Sequence, residues 1–150
     1  GVTSDLWLGD GEEKYTFSRV EGQSLTVECR YNAASYREQR KDWCQLRDAI
    51  CSPLVITPLT SPRRDLKTAT SGRTTIVDYT RNGIVTITMQ NLQVQDSGVY
   101  SCGRYDPRNT FYPLKTIKLD VSKGDWILLI TFCVFQLSKN TVLWRDRLYL

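Results

Sequence analysis

Histidine does not occur among the 150 residues. Its absence removes the commonest general base and the commonest metal ligand together. The five cysteines, Cys29, Cys44, Cys51, Cys102 and Cys133, include no Cys-x-x-Cys pair of the kind a zinc site uses. No carboxylate pair is spaced for general acid and base work either, so an enzyme is not expected and neither a metal nor a cofactor is called for. Asn32, Asn82, Asn91, Asn109 and Asn140 all lack Ser or Thr two positions on, which leaves no sequon for an N-linked glycan. A strongly basic stripe is missing as well. Residues 1–122 hold 16 basic and 14 acidic side chains and residues 123–150 hold 4 and 2, giving the net charge of +4. That balance sets a mild preference for anionic partners and speaks against nucleic acid.

What is present is ordinary for one globular domain: 41% apolar residues and 24% charged. The sequence starts without Met or an apolar leader, as expected after signal-peptide removal. Two disulfides plus one spare thiol is the simpler reading of five cysteines, and it implies an oxidising compartment. Alternation of apolar and polar residues marks Leu25-Thr26-Val27-Glu28-Cys29, Val85-Thr86-Ile87-Thr88-Met89 and Ile117-Lys118-Leu119-Asp120-Val121 as half-buried strands. Turn-forming clusters separate them, at Glu21-Gly22-Gln23, Ser61-Pro62-Arg63, Arg81-Asn82-Gly83 and Asp106-Pro107-Arg108-Asn109. Before Gly124 no segment shows the 3.6-residue period of an amphipathic helix. The fold class is therefore all-β, a sandwich or a barrel.

Cysteine and tryptophan positions choose the sandwich. Cys29 and Cys102 lie 73 residues apart with Trp43 falling 14 after the first, the spacing of an inter-sheet disulfide with a strand C tryptophan packed on it. Asp96-Ser97-Gly98-Val99-Tyr100-Ser101-Cys102 places a tyrosine two residues before the second cysteine, where it pins the corner between strands E and F. Arg73 is placed to pair with Asp96 at the base of the sandwich. Cys44 and Cys51 are predicted to bridge strand C to C′, an extra disulfide worth about 2–3 kcal/mol on loop-entropy grounds. The fold class is thus a V-type immunoglobulin sandwich over 15–122, after an N-terminal extension 1–14 and before a short apolar C-terminal segment.

Trp43-Cys44 followed by Cys51, with the Asp96–Cys102 run, resembles the TREM receptors (triggering receptors expressed on myeloid cells) and the TREM-like transcripts; the likeness covers roughly 15–122. The resemblance implies a leukocyte surface receptor that contacts ligand through loops at one end of the sandwich. Those loops map to 32–40 between B and C, 57–66 after C′, and 104–112 between F and G. They carry Tyr36, Arg37 and Arg40, then Arg63 and Arg64, then Arg104, Tyr105, Arg108, Phe111 and Tyr112. Arginine and aromatic residues are what binding hot spots favour. The rim they form suits an anionic glycan, a lipid or an acidic protein face; the alternative is a set of solvated loop charges with no common target.

Beyond a stalk of 123–125, the run from Trp126 to Leu137 is apolar for 12 residues, short of the roughly 20 that span a bilayer. Extended to 126–144 it becomes a candidate transmembrane segment, with 145–150 as a short cytoplasmic tail whose Arg145 and Arg147 fit the inner side. Lys139 then lies within the membrane, at a cost of about 2.5–3.5 kcal/mol on insertion scales. The resemblance implies the compensation: several TREM receptors pair such a lysine with an aspartate-bearing transmembrane signalling adaptor. The expected location is the cell membrane, single-pass type I. A secreted decoy is the alternative, because the segment is short and polar and the stalk brief. A third reading is an adhesion module pairing through strands G, F and C; Arg47, Asp42 and Gln45 are expected to make that face polar, which disfavours it.

Overall fold

The computed structural model describes residues 15–124, Ile130 and residues 133–139. The N-terminal extension, most of the candidate transmembrane segment and the candidate tail lie outside the described residues. Strands follow in chain order as β1 (Tyr15–Val20), β2 (Leu25–Arg30), β3 (Lys41–Arg47), β4 (Ile50–Ile56), β5 (Leu66–Ser71), β6 (Thr74–Tyr79), β7 (Ile84–Met89), β8 (Gly98–Tyr105) and β9 (Phe111–Ser122). A single-turn helix, α1 (Ala33–Tyr36), interrupts the β2–β3 connection, and a 3-10 turn, Val94–Asp96, precedes β8.

These strands form two sheets, β1-β9-β8-β3-β4 and β2-β7-β6-β5. β1 runs parallel to β9 while the other pairs are antiparallel. In the letters used above, β2, β3, β4, β8 and β9 are B, C, C′, F and G. The architecture is the expected V-type sandwich. β5, which follows C′, joins the opposite sheet by pairing with β6. As a result β4 and β5 are the edge strands of different sheets and face each other across a seam, connected by residues 57–65.

Alternation explains the layers. On β2, Leu25, Val27 and Cys29 are buried and their neighbours exposed; on β7, Val85, Ile87 and Met89 repeat the pattern. Ile117, Leu119 and Val121 of β9 close the core from the other sheet. Cys29 and Cys102 are bonded across it. Trp43 is fully buried and stacks on Tyr100, centroids 5.4 Å apart and planes 6° from parallel. Burying a side chain of that size removes some 150–250 Å² from water, worth about 4–6 kcal/mol before entropy. Its indole N–H is buried without a hydrogen-bond partner, so the tryptophan serves through packing rather than polarity.

At the base, the Tyr100 hydroxyl donates to the backbone oxygen of Asp96 at 2.5 Å. Burial, with Asp96 nearby, pushes that phenol up to about 12. Arg73 makes a two-pronged contact with Asp96, at 2.8 and 2.9 Å, and donates to the carbonyls of Gln90 and Asn91. Asp96 also accepts from the Gln93 N–H. Arg73 holds the Asp96 carboxyl below its usual range. The second disulfide joins Cys44 on β3 to Cys51 on β4, bracketing a two-residue turn in which Asp48 and Ala49 both have positive φ, 49° and 66°.

The candidate ligand-binding end

Sequence reasoning assigned the stretch 104–112 to a loop, but β8 runs on through Tyr105 and β9 starts at Phe111. Arg104, Tyr105, Phe111 and Tyr112 are therefore strand residues, with Arg104 paired to Tyr112 and Tyr105 to Phe111. Arg108 sits in the intervening turn. Asp106 builds that turn by accepting from the N–H groups of Arg108 and Thr110, at 2.9 and 2.8 Å. Regular backbone here matters because it fixes side-chain direction, which a loop leaves open.

Strand alternation sends these residues to two different places. Arg104 shares the face of Cys102 and lies past the end of the core, over the β2–β3 connection. Its guanidinium stands 3.6 Å from the centroid of Tyr36 and 4.4 Å from that of Tyr112. It also donates to Gln39 Oε1 at 2.8 Å. Tyr36 is in position because Asn32 caps α1, its side chain accepting from the Ala34 N–H. Two aromatic faces and an amide thus hold one arginine in place, each cation–π contact worth about 0.5–1 kcal/mol where solvent reaches.

Tyr105 and Phe111 point the other way, to the outer face of the five-stranded sheet, where their rings meet at 5.6 Å. Gly103 is what admits Phe111: a Cβ at that glycine would overlap the ring. The Tyr105 hydroxyl donates to Asp42 Oδ2 at 3.0 Å. Asp42 is completely buried and its Oδ1 has no hydrogen-bond partner. Burial pushes its carboxyl up to about 6, against the pull of Tyr105 and the Gly103 N–H. Asp42, Cys44 and Cys51 bring three ligand-type atoms within 4.8 Å, but both sulfurs are spent in the disulfide.

This arrangement corrects the expected polar sheet face. Asp42 is buried rather than presented, and Gln45 and Arg47 fall on the same side of β3 as Trp43. The outward positions of β3 are Asp42, Cys44 and Leu46, so the polarity argument against self-pairing has no basis.

The other candidates stay nearer their own loops. Arg37 is exposed and donates back to the Ala33 carbonyl. Arg40 donates to the Thr57 carbonyl at 3.3 Å, tying the first connection to the second. Arg63 pairs with Asp65 at 3.7 Å with both side chains largely solvated, a contact worth about 0–1 kcal/mol. Arg64 is exposed, its carbonyl taking the Thr80 hydroxyl. The structure brings together Tyr36, Arg104 and Tyr112; Arg63 and Arg64 belong to a separate loop. Lys139 falls in the described helical residues 133–139, its ammonium 5.0 Å from the Phe135 centroid. Cys133, in the same stretch, is a free exposed thiol.

Beneath the rim lies a buried network that sequence reasoning did not find. Lys41 and Asp78 are both fully buried and paired at 2.9 Å. Tyr31 donates to the other Asp78 oxygen at 2.6 Å, and the ammonium also donates to the Gln39 carbonyl at 2.6 Å. Burial pulls Lys41 down despite Asp78. Burial and Asp78 together drive the Tyr31 phenol far upward. Gln39 thus links levels, its carbonyl satisfying the buried lysine and its side chain holding Arg104. The signal was legible: Lys41 precedes Trp43 by two on one strand, which puts both on the same face.

Residues 12–122 match the immunoglobulin V-set domain family. Triggering receptor expressed on myeloid cells 3 of Mus musculus is 33% identical over 141 residues, covering 93% of this chain and 75% of that relative. The chain belongs to the TREM family. Human triggering receptor expressed on myeloid cells 1 is 35% identical over 114 residues, covering 75% of this chain but 47% of its own length. Mouse triggering receptor expressed on myeloid cells 2 is 41% identical over 85 residues, 55% of this chain and 37% of that one. The TREM chain described here therefore spans about half the length of the human relative. Its kinship is with receptors rather than with any enzyme family. Among the described residues no helix is long and apolar enough to cross a membrane.

Proposed function

We propose that this TREM chain is an innate-immune receptor that binds an anionic glycan, lipid or acidic protein face through the end of its V domain, with Arg104 as the anchor. The observation that carries the reading is the clamping of Arg104 between Tyr36 and Tyr112 with Gln39 behind it. A guanidinium already held in one geometry loses little entropy on meeting a carboxylate or phosphate, to which it offers parallel N–H donors. Arg37, Arg40 and Arg108 supply further positive charge, and Arg63 and Arg64 steer from the neighbouring loop.

Within the family, the resemblance of Glu21–Val27, Val85–Met89 and Tyr112–Leu114 with Leu119–Ser122 to TREM-like transcript 2 supports a chain of that type. Residues 123–125 serve as stalk, 126–144 as a single type I span and 145–150 as cytoplasmic tail. Signalling runs through Lys139 paired with an aspartate-bearing adaptor.

Replacing Arg104 and Arg108 together by alanine is expected to weaken binding of anionic vesicles or sulfated glycans by at least about 30-fold, the scale of a hot-spot loss. Unchanged binding would remove the rim as the site. Surface staining of cells expressing the chain behind a signal peptide, with and without the adaptor, tests the rest. Display that rises with adaptor and loses the response in Lys139→Ala supports the receptor. Protein found only in the medium, indifferent to both changes, makes the secreted decoy correct.

A further inference from the structure

The space between the sheets holds more positive charge than the network around Asp78 neutralises. Lys67 is the second residue of β5 and stands opposite Asp78 of β6. Its side chain is buried, and its ammonium has no hydrogen-bond partner. Asp78 spends its two oxygens on Lys41 and Tyr31 and makes no hydrogen bond to Lys67. Asp65, at the end of the loop above, pairs outward with Arg63. Among the described residues the buried charges between the sheets are thus two ammonium groups and one carboxylate. They sense one another, for the Lys67 charge helps pull Lys41 down.

A buried ammonium without a counter-charge is costly, and buried charges are found paired. Lys67 also stands on β5, the strand that borders the seam. β4 and β5 are the free edges of the two sheets, and the loop 57–65 closes the seam between them. That loop exposes Arg63 and Arg64, which raise the local concentration of anions.

We propose that the seam between β4 and β5 is an oxyanion-binding site in which the Lys67 ammonium holds a phosphate or sulfate group, free or carried on a lipid headgroup. An ammonium is a compact point charge with three donors, suited to a tetrahedral oxyanion approached from one side. The site is separate from the Arg104 rim and does not depend on it.

The test is thermal unfolding of the whole chain in phosphate or sulfate against chloride at constant ionic strength. Wild type is expected to gain about 3–8 °C at tenfold the dissociation constant and to keep rising logarithmically with concentration beyond it. Lys67→Met should lose most of the gain while keeping the Arg104-dependent binding of sulfated glycans, and Lys67→Arg should keep part of the gain, so that failure of the rim and failure of this site are told apart. Equal gains in wild type and Lys67→Met, or no gain beyond chloride, would overturn the proposal. Should Lys67→Met not fold, phosphorus resonance broadening of inorganic phosphate by wild type decides, and its absence also refutes the site. Flotation with phosphatidic-acid vesicles identifies the source. Loss of flotation in Lys67→Met assigns the headgroup, and loss of the phosphate effect alone assigns a soluble oxyanion.

Discussion

Asp42 carries the sharpest consequence of any single side chain. Its carboxyl titrates near 6 in the fold against 3.8 free, so the native state holds the extra proton between those values. Stability must therefore fall as pH rises from about 4 to about 6, by up to about 3 kcal/mol at about 1.36 kcal/mol per unit. Asp42→Asn should abolish that slope, which denaturant titrations at pH 4 and 7.5 on both proteins would show; equal slopes would mean the carboxyl is solvated. Asp96 works in the opposite sense, since Arg73 holds it low. Its contribution is present above the usual carboxylate value and is lost only as pH falls through its depressed one, so the two windows separate. Gly103 gives a second test at this scale. Gly103→Ala would drive a methyl into Phe111, at a cost of about 1–3 kcal/mol, and should quench the Tyr105–Phe111 contact in nuclear Overhauser spectra.

Among the elements, the β3–β4 hairpin is the one whose chemistry and geometry are both readable. Asp48 and Ala49 form a two-residue turn with both φ positive, the arrangement for which Asp-Gly is the favoured pair. Alanine pays a steric penalty there that glycine does not, and the gain is reduced by glycine's greater unfolded freedom. Ala49→Gly is expected to stabilise the domain by about 0.5 kcal/mol, measurable as a raised denaturation midpoint with unchanged slope. The Cys44–Cys51 bridge staples the same hairpin. Replacing both cysteines by serine should cost about 2–3 kcal/mol, and because β4 borders the seam the loss should be largest in hydrogen exchange of β4.

For the molecule as a whole, two ties join parts distant in sequence. Cys29–Cys102 closes 73 residues, a constraint on the unfolded chain worth about 4 kcal/mol in the loop-entropy treatment. Arg73–Asp96 joins the connection between β5 and β6 to the turn before β8. Arg73→Ala should cost about 1 kcal/mol, discounted because the guanidinium is partly solvated. Calorimetry of the variant at neutral pH checks it. The candidate ligand-binding end inherits its rigidity from below, through Gln39, which is bonded both to Lys41 and to Arg104. Lys41→Met with Asp78→Leu is a whole-molecule test of that link: the domain should remain folded while Arg104 loosens.

The sandwich was legible because its determinants are local or count-like. Alternation marks β2, β7 and β9, and the spacing of Cys29, Trp43, Tyr100 and Cys102 specifies how the sheets meet. The arginines and aromatics of the candidate binding end were nameable for the same reason, since residue type alone proposes them. Their grouping was not, because it turns on where a strand ends: β8 and β9 continue to Tyr105 and Phe111, and one residue of register sends a side chain to the opposite face. Hence Arg104 joins Tyr36 and Tyr112 while its neighbour Tyr105 covers Asp42. The buried states of Lys67 and Asp78 also required the fold, because charge on a strand reads as exposure until a second sheet is laid over it. Residue identity and spacing determined the architecture of this TREM chain; only packing between the sheets decided that, among the described residues, Lys41 and Asp78 are buried as a pair while the buried Lys67 ammonium has no hydrogen-bond partner.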